Sequence, residues 1–144
     1  MLNEYYTLAN NVLIPKIGLG TWMVEDEDAE QVVASAIEAG YRHIDTAQAY
    51  ENEAGVGRGI KAGNVPRDQL FITTKLAAEA KSYDEAKKAI DESMARLDLD
   101  YIDMMIIHSP QPWTDFGDDD RYFEGNLEAW KALEEAYKDG KLRA

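Results

Sequence analysis

Asp45, Tyr50, Lys75 and His108 are the residues of this chain whose types and spacing could do chemistry. Each lies at or just past the C-terminal end of a segment that reads as a β-strand. A phenol with an ammonium and a carboxylate in reach can give a proton to a carbonyl oxygen. A charged Lys75 would favour the phenolate of Tyr50 and make its hydroxyl the readier acid, while Asp45 would keep Lys75 charged and oriented. His108 can donate a hydrogen bond to a carbonyl oxygen and fix its direction. Taken singly, each has a plain structural reading: Asp45 as an exposed cap, Lys75 as a solvated strand end, Tyr50 as a packed aromatic, His108 as a satisfied core imidazole. Jointly, three successive strand-to-helix loops each supply a proton-bearing group at one end of a sheet, which is where a parallel barrel meets its substrate. His43 precedes Asp45 by two positions and shares its side of the strand, but it sits deeper and reads as structural. No nucleophile–base pair for hydrolysis is evident. Two histidines and no cysteine cannot by themselves make a zinc site, so no metal is expected.

Positioning such groups needs strands alternating with helices, and the hydrophobic pattern supplies that alternation four times. Residues 7–9 and 12–14 flank Asn10-Asn11, a two-residue turn signal, and predict an N-terminal hairpin. A short strand is expected over 17–20. A helix over 26–39 has acids in its first turn, an apolar face through Ala29, Val32, Val33, Ala36 and Ile37, and Gly40 at its stop. Strand 43–45 leads to a helix over 52–62, closed by Gly63. Gly55, Gly57 and Gly59 weaken that helix by about 1 kcal/mol each relative to alanine, so something must approach it closely. The apolar and β-branched run 70–74 fits a strand buried on both faces. Ser82 with Glu85 three positions on is a capping box, and Tyr83, Ala86, Ala89, Ile90, Met94 and Leu97 form the buried stripe of the helix it opens. Residues 101–107 read as the fourth strand of the repeat. A last helix over 125–138 presents Leu127, Trp130, Leu133 and Tyr137 on one face and ends at Gly140. Alternating βα units imply a parallel sheet. Gly55-x-Gly57-x-Gly59 lies inside a helix and lacks the strand–turn context of a dinucleotide fingerprint. The long loop 109–124, with Pro110, Pro112, Trp113, Phe116 and Gly117, reads as functional or capping.

The 144 residues fit one domain, on a prior of about 100–200 residues per domain. The 28 acidic and 15 basic side chains give a net charge of −13, which argues against nucleic acid or an anionic membrane as partner. Asp118-Asp119-Asp120 reads as a solvated loop. The absence of cysteine suits a reducing compartment. Met1 to Asn10 carries Glu4 and no apolar core of a signal sequence. No apolar run reaches the roughly 18 residues of a membrane span. A soluble, cytoplasmic protein is the expectation.

The chain resembles the N-terminal half of an aldo-keto reductase. The resemblance rests on Gly18-Leu19-Gly20-Thr21-Trp22, on Gly40-Tyr41-Arg42-His43-Ile44-Asp45-Thr46-Ala47, and on Tyr50-Glu51-Asn52-Glu53 with Val56-Gly57. It continues through Phe71-Ile72-Thr73-Thr74-Lys75-Leu76 and through Leu97-x-Leu99-x-Tyr101-Ile102-Asp103 into Ile107-His108-Ser109-Pro110. It implies an α/β fold, a (β/α)4 half of a TIM-type barrel with an N-terminal β-hairpin, as one domain over 1–144. It also implies that Tyr50 protonates the oxygen of an aldehyde or ketone, that Lys75 and Asp45 tune it, and that His108 orients the carbonyl. The hydride would come from a reduced nicotinamide dinucleotide, usually NADPH. Gly20, Thr21, Trp22 and Asp45 match positions lining the nicotinamide end; Trp22, His108 and Trp113 match, or lie near, the substrate wall.

A full barrel of about 250 residues has eight strands. The parts that grip the pyrophosphate and adenosine phosphate belong to its other half, so weakened dinucleotide affinity is expected. Half a barrel would also leave strand edges open and turn interior residues such as Ile44, Ile72, Met104 and Ile106 to water. Completion by a second copy, as a homodimer, or by a complementary C-terminal half is therefore expected. The alternative is a truncated or split-gene half-barrel, a structural oligomer without catalysis of its own.

Overall fold

The computed structural model describes residues 4–144. Strand β1 (Tyr5–Thr7) runs antiparallel to β2 (Leu13–Pro15). The expected hairpin is present, but its turn is longer than the Asn10-Asn11 pair. The Asn11 amide donates to the Leu8 carbonyl at 2.9 Å, the Leu8 amide donates to the Val12 carbonyl at 2.8 Å, and Asn11 adopts φ 65°. Such a three-residue connection ends on a left-handed residue, a conformation that asparagine tolerates.

Four parallel strands follow in the order β3 (Leu19–Gly20), β4 (His43–Asp45), β5 (Phe71–Leu76) and β6 (Met104–Ile107). Helices α1 (Asp26–Glu38), α2 (Glu53–Ala62), α3 (Tyr83–Leu97) and α4 (Phe123–Lys138) alternate with them. Register sets Gly20 beside Asp45, Asp45 beside Thr73, and Lys75 beside Ile106, so the C-terminal strand ends form one rim. The ladder of β6 begins later than its apolar pattern suggests. Buried Asp103 accepts the Ile72 amide at 2.9 Å and ion-pairs with Arg67 at 2.7 Å and Arg143 at 2.9 Å, and regular pairing starts after it. Past α4, Leu142 pairs parallel with Ile102, and the Met105 amide donates to the Ala144 carbonyl at 3.3 Å. Residues 141–144 thus lie along the outer edge of the last strand.

The core sits between sheet and helices, where Ile44, Val56, Ile72, Leu76, Ile90, Leu97 and Ile102 are buried. Full burial of such a side chain stabilises by roughly 1.5–3 kcal/mol. Strand alternation corrects one expectation: Ile44 and Ile72 belong to this helix-facing layer, while Asp45 and Lys75 face the other way. Of the four residues expected to meet water, only Met104 and Ile106 are uncovered, in part.

The glycines of α2 answer to close packing. A Cβ on Gly57 would sit 2.3 Å from the Leu97 carbonyl oxygen, and one on Gly55 would sit 2.2 Å from that of Asp26. Their propensity cost is offset by packing against α1 and α3. Ser82 caps α3 as expected, its Oγ accepting the Glu85 amide at 3.3 Å. The face expected of α4 is corrected: it buries Ala129, Ala132, Leu133 and Ala136, while Leu127, Trp130 and Tyr137 are exposed. Alanines let the helix approach α3 closely, and the helical period then turns Phe123, Leu127, Trp130 and Tyr137 outward.

Candidate active site

Asp45 ends β4, Lys75 is the last residue but one of β5, and His108 directly follows β6. Tyr50 closes a single 3-10 turn, Gln48–Tyr50, that leaves the β4 end. The common rim therefore gathers all four. The Lys75 ammonium donates to the Asp45 carboxylate at 2.5 Å, to the Thr46 carbonyl at 2.9 Å and to the Tyr50 hydroxyl at 3.2 Å. Those acceptors engage all of its protons. The Lys75 side chain is 12% exposed, so its charge acts on Tyr50 with little solvent screening.

The His108 ring stands edge-on to Tyr50 at 5.6 Å and to Trp113 at 5.3 Å, and Phe116 extends the stack. Burial, and then the Lys75 charge, hold His108 below the ordinary imidazole value, so it is neutral at neutral pH and keeps one ring N–H. Its Nδ1 is buried without a hydrogen-bond partner.

Two loops complete the rim, each organised by a buried amide side chain. Asn52 donates to the carbonyls of Thr21 and Val24, each at 2.8 Å, and accepts the Thr46 hydroxyl at 2.8 Å. It thereby ties the turn that presents Trp22, 71% exposed, to the end of β4. Gln111 accepts the Gly117 amide at 3.2 Å and donates to the carbonyls of Asp118 at 3.1 Å and Asp120 at 2.6 Å, which shapes the loop carrying Trp113.

The expected residues Asp45, Tyr50, Lys75 and His108 come together, and Trp113 joins them through His108. Gly20 and Thr21 lie beside Asp45, with the Thr21 amide donating to the Asp45 carbonyl at 3.0 Å, whereas Trp22 stands outside the ring stack. His43 lies deeper in the strand, its Nε2 2.9 Å from the Thr73 hydroxyl and its ring edge-on to Phe71 at 5.2 Å, in keeping with a structural role. Sequence reasoning missed Gln48, Asn52, Glu53 and Gln111. The signal for three of them was the polar run around Tyr50, and polarity alone does not separate a buried clamp from a solvated loop.

A nicotinamide ring finds fitting residues here. A Cβ on Gly20 would meet nothing within 4 Å, which leaves open ground beside Asp45 and Thr21. The phosphate end of a dinucleotide has no such fit in the cluster, because its one ammonium, Lys75, is fully engaged.

Residues 16–144 match the family model described as aldo/keto reductase family. Glyoxal reductase of Bacillus subtilis is 44% identical over 144 residues, covering 99% of this chain and 48% of that protein. The 9,11-endoperoxide prostaglandin H2 reductase of Trypanosoma cruzi is 42% identical over 139 residues, covering 96% and 45%. Among solved structures, an aldo/keto reductase from Brucella melitensis superposes with a TM-score of 0.87 at 35% identity, covering 98% of this chain and 52% of that one. A Bombyx mori aldo-keto reductase in complex with NADP gives 0.85 at 36% identity, covering 100% and 50%. The chain spans about half the length of the relatives it matches.

Proposed function

The chain belongs to the aldo/keto reductase family, and we propose that it carries the proton-transfer apparatus of an NADPH-dependent reduction of small aldehydes or ketones. The observation that carries this reading is the Lys75 ammonium set between Asp45 and Tyr50, with His108 edge-on to the same phenol. A carbonyl seated between Tyr50 and His108 accepts a hydrogen bond from the neutral imidazole, which fixes its direction. As negative charge grows on the carbonyl oxygen, Tyr50 passes its hydroxyl proton there. The resulting phenolate faces the Lys75 ammonium, and Asp45 and the Thr46 carbonyl keep that ammonium in place. Tyr50 regains a proton from water. When bound beside Gly20, Thr21, Trp22 and Asp45, reduced nicotinamide supplies the hydride that completes the alcohol. Trp113 and Trp22 offer the substrate apolar walls.

The half-length match and the engaged Lys75 favour a second reading, in which cofactor binds only when a complementary C-terminal half, or a second copy, completes the barrel. NADPH fluorescence titration of the purified chain decides between them. Saturable binding with carbonyl-dependent NADPH oxidation supports the enzyme; a flat titration supports the incomplete half.

A further inference from the structure

We infer that Gln48 is the positioning residue of the proton donor, clamping the turn that carries Tyr50 to α3 and to the residue that follows β5; this rests on the reading of Tyr50 as the acid. Gln48 lies two residues before Tyr50. Its Oε1 accepts the amide of Ala77 at 2.7 Å, and Ala77 lies two residues after Lys75. The separation between phenol and ammonium is therefore spanned twice, once by their own 3.2 Å contact and once by the Gln48 bridge beneath it. The other end of the same amide donates to the Ala89 carbonyl at 2.6 Å and to the Ser93 hydroxyl at 2.7 Å, both on α3. Its orientation is fixed, because a backbone N–H can only donate and a backbone C=O can only accept.

The far side of the turn is anchored on the same helix. Glu53, three residues after Tyr50 and 1% exposed, accepts the Ser93 hydroxyl at 2.9 Å and the Arg96 guanidinium at 2.8 Å. It also accepts the hydroxyl of Thr74, the neighbour of Lys75, at 2.6 Å. Ser93 is thus a shared post for both flanks of the Tyr50 turn. The turn itself is one 3-10 turn of three residues that ends on left-handed Glu51, φ 56°, and its own hydrogen bonds are only 3.1 Å contacts. So short a segment gains its rigidity from side-chain anchors, and Gln48 is the anchor that lies within the turn itself, joining it to the chain just past the strand bearing Lys75.

The test reads Tyr50 directly. The chain is labelled at tyrosine Cζ, and the Tyr50 signal among the eight tyrosines is assigned by its loss in Tyr50→Phe. Gln48→Ala, and Gln48→Met, which keeps length without polarity, are both expected to move or broaden the Tyr50 signal while the other tyrosines stay in place. Ser93→Ala is expected to do so to a smaller degree, and it serves as the deciding variant if the Gln48 variants fail to fold. Where the wild type turns over, kcat should fall by on the order of tenfold to a hundredfold with the carbonyl KM changed less. An unmoved Tyr50 signal in folded Gln48→Met, or in Ser93→Ala where the Gln48 variants do not fold, overturns the clamp whatever happens to Tm. A wild type without turnover counts against the reductase reading alone, since the resonance test does not depend on it.

Discussion

At the scale of single residues, the site is a contest for three ammonium protons. Lys75 divides them among a carboxylate, a carbonyl and a phenol; in the proposed reaction the last is the proton donor and the first two keep the ammonium in place. Tyr50→Phe removes the transferable proton and keeps the ring against Lys75 and His108. Turnover is then expected to drop by about 10²–10⁴-fold, the usual worth of a placed general acid. Cofactor affinity, read by fluorescence titration, should stay within twofold or so of the parent, because no cofactor-lining role rests on the hydroxyl. Turnover equal to the parent would take Tyr50 out of its role.

Among the elements, α2 is where sequence logic and packing logic diverge. Helix propensity alone says that Gly57→Ala should stabilise by about 1 kcal/mol. The Leu97 carbonyl 2.3 Å from the new methyl says otherwise, and backbone cannot step aside as a flexible side chain can. Overpacking of this kind costs roughly 1–3 kcal/mol, so a lower urea midpoint is expected. Gly20→Ala is the counterpart. Nothing crowds its Cβ, so the midpoint should move by no more than about 0.5 kcal/mol equivalent, while nicotinamide binding weakens. A stabilised Gly57→Ala chain would show that α2 and α3 stand further apart than the structure has them.

For the whole molecule, acid and association are the informative variables. Burial holds His43 below its ordinary value, and burial followed by the Lys75 charge does the same to His108. The unfolded chain takes up those protons near pH 6.5 and the folded chain only below it. Their contribution to stability is therefore complete above about pH 6.5 and is lost as pH falls through and below that value. Urea midpoints should decline from pH 7 to pH 5, and because the chain has just two histidines, His43→Gln with His108→Gln should flatten most of that decline. The exposed outer stripe Phe123, Leu127, Trp130 and Tyr137 of α4 is expected to drive pairing of two copies, opposed by the net charge of −13. Dimer mass by light scattering should grow with added salt, which screens that repulsion. A monomer at micromolar concentration in both low and high salt would exclude the pairing.

The sequence by itself determined the repeat of strand and helix, the caps at Ser82 and Gly40, and the four residues at the strand ends. Each of those is written locally, in period, in turn chemistry, or in the step from an apolar run to an ionisable residue. The close approach to α2 was legible too, since three glycines in one helix have few other causes. Only the tertiary structure decided which layer Ile44 and Ile72 face, that α4 packs by its alanines and not by its larger side chains, and that half-buried Gln48 and buried Asn52 and Gln111 are braces. Those outcomes depend on which surfaces meet. A polar side chain or a two-sided apolar helix acquires its role from the neighbour that folding brings to it, and for Gln48, Asn52 and α4 that neighbour lies tens of residues away along the chain.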